Sequence, residues 1–131
     1  MGSDSGGGHR ASTQLVGQAA EALAADLVRA EGLEVIARNF RCRAGELDLV
    51  CCDGDLLVVI EVRRRTRVDF GGAAGSVGAA KQRRIRRATL YFLAGEPRWR
   101  HHRLRFDVIA VSGSAASAPV VDWLRDAFRP A

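Results

Sequence analysis

Hydrophobic residues recur at two different spacings along the chain, and the spacing changes where the turn residues fall. Leu15, Ala19, Ala22, Leu23, Leu27 and Ala30 lie on one face of a helix over residues 14–31, with Ser12 or Thr13 as its cap and Gly32 as the residue that ends it. Residues 33–40 read as a short strand leading into a turn. Glu46-Leu47-Asp48-Leu49-Val50-Cys51-Cys52 is a second strand, Asp53-Gly54-Asp55 a strong turn signal, and Leu56-Leu57-Val58-Val59-Ile60-Glu61-Val62 a third. The third strand is almost wholly apolar, as expected where both faces are covered. Gly71, Gly72, Gly75 and Gly78 mark a flexible loop. A helix over residues 77–94 follows, with Ile85, Ala88, Tyr91 and Phe92 on its apolar side and Arg83, Arg84, Arg86 and Arg87 on its basic side; Glu96-Pro97 stops it. Residues 104–111 form another strand, 112–119 a loop of small residues, and 120–128 a short strand passing into a final helical turn. The order α-β-β-β-α-β gives the α/β class, with a mixed central sheet flanked by helices.

With 131 residues, the chain suits one domain over residues 13–131, preceded by a disordered Gly/Ser-rich lead over residues 1–12. No apolar run reaches the roughly 20 residues of a membrane span, so a cytoplasmic protein without a membrane partner is expected. Cys42, Cys51 and Cys52 form no CxxC pair and read as small apolar strand residues in a reducing compartment.

Charge changes the picture more than composition does. The net charge is +5, and it is unevenly placed. Thirteen of the twenty basic residues lie between Arg63 and Arg105, opposed there only by Asp69 and Glu96, and the remaining chain is net acidic. A segregated basic half suits a polyanion such as nucleic acid, although arginines that merely decorate solvated faces give the same count.

Glu46, Asp48 and Glu61 are charges inside apolar strands. Side chains alternate between faces, so Glu46 and Asp48 share one face of their strand and Glu61 and Arg63 share one face of the next. A two-residue hairpin loop at Asp53-Gly54 sets Glu61 opposite Glu46; a four-residue loop over residues 53–56 sets it opposite Asp48. Either even-length loop gathers all four charges on one face, and an odd loop separates them. Such a cluster is stable with a divalent cation, with arginine partners in a salt-bridge lattice, or at an exposed strand end. Glu21 lies beside the apolar face of the first helix, where it is either solvent-exposed or turned toward the sheet.

Gly45-Glu46-Leu47-Asp48-Leu49-Val50, the hairpin, and Val59-Ile60-Glu61-Val62-Arg63-Arg64-Arg65 together resemble the core of the YraN-like uncharacterised protein family. Gly17 with Glu21, Arg38-Asn39-Phe40, Lys81 with Arg84-Ile85, Arg105-Phe106-Asp107-Val108 and Ala127-Phe128 extend the resemblance over roughly residues 14 to 128. That family is similar to the PD-(D/E)xK nucleases, which include restriction endonucleases and Holliday-junction resolvases. The resemblance implies a restriction-endonuclease-like fold and hydrolysis of phosphodiester bonds in DNA, branched or flapped substrates included. It implies Mg²⁺ or Mn²⁺ held by Asp48, Glu61 and the Val62 carbonyl, with Glu21 as the resolvase-type helix glutamate and a homodimer by analogy. Where those nucleases carry the triplet lysine, this chain has Arg63, which stays protonated and cannot act as a base but can stabilise the transition state or grip a phosphate by two parallel hydrogen bonds. Lys81 is the one lysine among twenty basic residues, and it is expected to supply the ammonium that Arg63 cannot. Arg64, Arg65, Arg67, Arg83, Arg84 and Arg87 are the expected phosphate contacts. Trp99, His101 and His102 lie in a basic stretch, suited either to base stacking or to packing and solvent. Three functions therefore compete: a metal-dependent endonuclease, a non-catalytic nucleic-acid-binding module on the same fold, and a structural protein whose carboxylates only pair with arginines.

Overall fold

The computed structural model describes residues 5–65, 77–113 and 118–130, and in the first stretch the side chains of residues 17–64. Helix α1 runs Ser5–Ala30, β1 Glu34–Cys42, β2 Gly45–Asp53, β3 Leu56–Arg65, α2 Ala79–Gly95, β4 Arg103–Ser112 and β5 Val120–Phe128, with a short 3-10 turn at Pro97–Trp99. The five strands form one sheet in sequential order. β1 with β2, β2 with β3 and β4 with β5 are antiparallel; β3 and β4 are parallel, joined through α2. This is the expected mixed sheet with flanking helices, extended by one strand.

Alternation along β3 builds the two layers. Val58 and Ile60 join Leu49, Cys51 and Ile109 under Ala24, Ala25 and Val28 of α1. Leu57 and Val59 join Leu47, Val50 and Phe106 under Ile85, Ala88 and Phe92 of α2. A strand covered on both faces has no polar face to show, hence its nearly unbroken apolar run. Gly32 closes α1 at φ 93°, its N–H donating to the Arg29 carbonyl and the Leu33 N–H to the Val28 carbonyl. This is the glycine-ended Schellman pattern, and it satisfies carbonyls the helix leaves open.

Three expectations change. The α1 backbone continues N-terminally to Ser5, past the cap expected at Ser12 or Thr13, because extending a formed helix adds a hydrogen bond for each residue fixed. Tyr91 leaves the apolar side of α2 and is 42% exposed, while Thr89 takes the buried place with its hydroxyl donating to the Ile85 carbonyl at 2.8 Å. The expected C-terminal helical turn is instead part of β5. There Asp126 sits at φ 56° beside a register shift opposite Phe106 and Val108, and Phe128 stacks on Phe106 at 4.9 Å between ring centroids. The Gly71, Gly72 and Gly75 loop lies outside the described residues. Among the described residues, no helix is long and apolar enough to cross a membrane.

Candidate active site

The hairpin between β2 and β3 decides which carboxylates meet. Asp53 pairs with Leu56, leaving Gly54-Asp55 as the loop, and Gly54 has φ 61°, which glycine adopts without steric cost. The ladder runs on to Leu49 opposite Ile60, so one step further Asp48 faces Glu61. Of the two pairings open to an even loop, this is the one that sets Glu61 against Asp48. Both residues take the α2 face, as Val50 and Val59 do.

The Asp48 carboxyl is pushed up to about 8 from its ordinary 3.8. Burial is the largest cause, followed by its hydrogen bond to Glu61 and the repulsion of the Glu61 charge. Repulsion from Glu21 adds to these, while the Val62 N–H, donating to Asp48 Oδ2 at 2.8 Å, opposes them. Near neutral pH Asp48 thus keeps its proton, the usual outcome for a buried carboxyl crowded by another. On its other side, Glu61 receives an ion pair from Lys81 of α2. Glu61 is only 8% exposed, whereas the Lys81 side chain is 51% exposed, so the ammonium faces both the buried carboxylate and solvent.

These groups line one open cavity of about 360 Å³ with Gly45, Glu46, Val62, Arg84 and Ile85. Gly45 lies under Arg84: a Cβ built there would stand 3.9 Å from the Cβ of Arg84. Acidic groups from the hairpin thus form one wall, and Lys81 and Arg84, one helical turn apart, form the other. Glu46 reaches the rim but pairs with Arg41 of β1 at 3.8 Å. Glu46 thus pairs with an arginine, Glu61 takes the lysine, and Asp48 takes a backbone N–H and its neighbour's carboxyl.

The other expected residues fall at varying distances from this centre. Glu21 acts on Asp48 through its charge but does not line the cavity. Arg63, two residues beyond Glu61 on β3, is half-buried and engaged with a partner. Arg64, Arg83 and Arg87 are exposed, and the Arg65 side chain and Arg67 lie outside the described residues. Trp99 packs against the α2 cluster with its ring edge-on to His102 at 5.1 Å, so it serves the core. Cys51 is buried, which pushes its thiol up to about 12, and all three cysteines are free.

The sequence profile of Uncharacterised protein family UPF0102 matches residues 20–111. A UPF0102 protein of Pseudomonas entomophila is 47% identical over 118 residues, covering 90% of this chain and 96% of that protein. One from Bordetella avium is 51% identical over 114 residues, 87% of this chain and 74% of its own length. The chain belongs to this family. UPF0102 is the YraN-like family that the hairpin motif resembles, and the matched stretch contains every residue of the cavity.

One buried acid went unremarked in the sequence beyond its place in a motif. Asp107 of β4 is fully buried on the α1 side of the sheet. It accepts two hydrogen bonds from Arg105, at 2.9 and 2.8 Å, and one each from Trp123 Nε1 and the Asp126 N–H, both at 2.9 Å. The signal was the same as for Asp48, a carboxylate inside an apolar strand. Fully satisfied by its donors, it ties β5 to β4 and takes no part in the cavity.

Proposed function

We propose that this UPF0102 protein is a divalent-metal-dependent nuclease that hydrolyses phosphodiester bonds in DNA. The observation that supports this most is the meeting of the Asp48 and Glu61 carboxyls in a cavity whose opposite wall carries Lys81 and Arg84. The donor set suits a hard cation. Burial and the crowding of Glu61 raise the Asp48 carboxyl, a penalty a bound cation relieves, and the Val62 backbone lies beside the two side chains. Among the described residues no three His, Cys, Asp or Glu side chains converge, but Mg²⁺ needs only one or two carboxylates besides substrate phosphate and water. Asp48, Glu61 and the Val62 carbonyl would hold Mg²⁺ or Mn²⁺, which supplies an acidified water and offsets charge developing on the phosphorane.

The chain's own residues divide the remaining work. Lys81 orients the attacking water, and Arg63, whose guanidinium stays charged, does not serve as a base. Arg84 grips a non-bridging phosphate oxygen from the opposite wall. Glu21 adds negative charge behind Asp48. Arg63, Arg64, Arg65 and Arg67, with Arg83 and Arg87 on α2, hold the flanking backbone.

Cleavage of duplex, single-stranded, flap and junction DNA with Mg²⁺ or Mn²⁺ tests the reading. Asp48→Asn and Glu61→Gln are expected to abolish cutting, and calorimetric titration with Mn²⁺ to show binding by wild type and none by the double variant. Lys81→Arg is expected to lose most activity; full activity in that variant removes its role. A second reading, a nucleic-acid-binding module without catalysis, is favoured by the ammonium that already satisfies Glu61. Salt-dependent DNA binding without cutting under every metal condition would select it.

A further inference from the structure

Helix α2 carries Lys81, Arg83, Arg84, Arg86 and Arg87 and no acidic residue. Lys81 is engaged with Glu61, and Arg86 with Gln82 and the Arg129 carbonyl. Among the described residues, Arg83, Arg84 and Arg87 have no ion-pair partner, and all three are exposed. Arg84, Arg87 and Tyr91 fall at i, i+3 and i+7, along one stripe of a helix with 3.6 residues per turn. That stripe begins in the cavity, because Arg84 lines it, and leads away from the acid pair. It ends on Tyr91, one of the few large hydrophobic residues the described surface exposes, with Leu90 beside it at 64% exposure.

From these placements we infer that α2 is the track of an unpaired nucleic-acid strand leaving the cavity, with Tyr91 as a stacking platform for one of its bases. The inference rests on nucleic acid being the partner. Arg84 and Arg87, unpaired along that stripe with Arg83 exposed beside them, suit an anionic occupant, and a phosphate backbone supplies evenly spaced charge. An exposed ring at the end of that row finds no use on a paired duplex, whose bases are already stacked on one another. On a single strand it stacks on any base, because every base has a π-face. From Lys81 to Tyr91 the helix rises about 15 Å, the length of about four nucleotides at the 3.4 Å spacing of a stacked strand. The substrate class is therefore a junction between paired and unpaired DNA or a free single strand, with the unpaired arm lying on α2.

Fluorescence anisotropy of labelled oligothymidylate and of a blunt duplex of equal length, both in EDTA so that nothing is cut, tests this. Tyr91→Ala is expected to weaken single-strand binding about 5- to 100-fold, to leave duplex binding unchanged, and to be rescued by Tyr91→Phe. Arg87→Ala is expected to weaken single-strand binding and flatten its salt dependence. Unchanged single-strand affinity in Tyr91→Ala, or an equal loss on both probes, overturns the track. So does a change of oligomeric state in Tyr91→Ala without a change in DNA affinity, which makes this face a protein contact. Failure of wild type to bind either probe overturns the nucleic-acid reading itself. Equal affinity of wild type for both probes, with cleavage intact, overturns the track alone.

Discussion

At the residue scale, the Asp48 carboxyl links the site to folding. Its folded pKa of about 8 lies above the ordinary 3.8, so between those values the folded protein holds a proton that the unfolded chain has released. Stability contributed by this group is fully present below about pH 4 and is lost as pH rises toward 8, at a limiting slope of about 1.4 kcal/mol per pH unit. Asparagine mimics the protonated acid, so without metal Asp48→Asn is expected to match wild type near pH 4 and to exceed it increasingly up to about pH 8. Paired urea melts across that range measure the difference; a variant less stable than wild type near pH 8 would contradict the raised pKa. Metal binding runs the other way. A cation must displace the Asp48 proton, so Mn²⁺ affinity is expected to rise with pH below about 8 and level off above it, by calorimetry. The Lys81 ammonium competes for the same carboxylate, and Lys81→Met is accordingly expected to bind Mn²⁺ several-fold more tightly while cutting DNA more slowly. Weaker Mn²⁺ binding in that variant would mean that Lys81 supports the metal site.

At the element scale, period decided what was legible. The hairpin's charges were readable because alternation left only two pairings, and the turn residues Gly54-Asp55 chose between them. The helices announced themselves by spacing, but spacing did not reveal that Tyr91 turns outward, since apolarity alone does not mark burial. The strand over residues 120–128 was legible but its end was read as a helical turn, because Asp126, in a left-handed conformation beside a register shift, breaks the alternation by which a strand is recognised. What holds that irregular strand is Asp107, which accepts two hydrogen bonds from Arg105 of its own strand and one each from Trp123 and Asp126 of β5, a convergence no local pattern shows. Asp107→Ala leaves the partly buried Arg105 without its partner and β5 without its tie. It is expected to cost about 3–5 kcal/mol in urea melts, and to expose the β5 amides to hydrogen exchange ahead of those of β3. A loss under about 1 kcal/mol would mean that Phe106, Phe128 and the ladder suffice.

At the scale of the whole molecule, the basic half and the acid pair are two parts of one electrostatic arrangement. The hairpin gathers Asp48 and Glu61 on one wall of the cavity and α2 sets Lys81 and Arg84 on the other, so in the proposed reaction a phosphate drawn to the helix would arrive at the carboxyls. The pieces were legible separately, as a charge count and as acids inside strands. Their juxtaposition required the crossover that lays α2 over the β2–β3 hairpin. If attraction is carried by α2, it should scale with the arginines there and not with net charge. The logarithm of single-strand affinity against the logarithm of salt concentration is expected to fall linearly, and Arg84→Ala and Arg87→Ala each to reduce the slope by about 0.7. Arg29→Ala removes the same charge from α1, where it pairs with Asp26 at 3.7 Å, and is expected to leave the slope where it was. Equal changes from all three would show that the protein meets nucleic acid through its overall charge, with no preferred face; a change confined to the α2 variants places the polyanion on the helix that opens into the cavity.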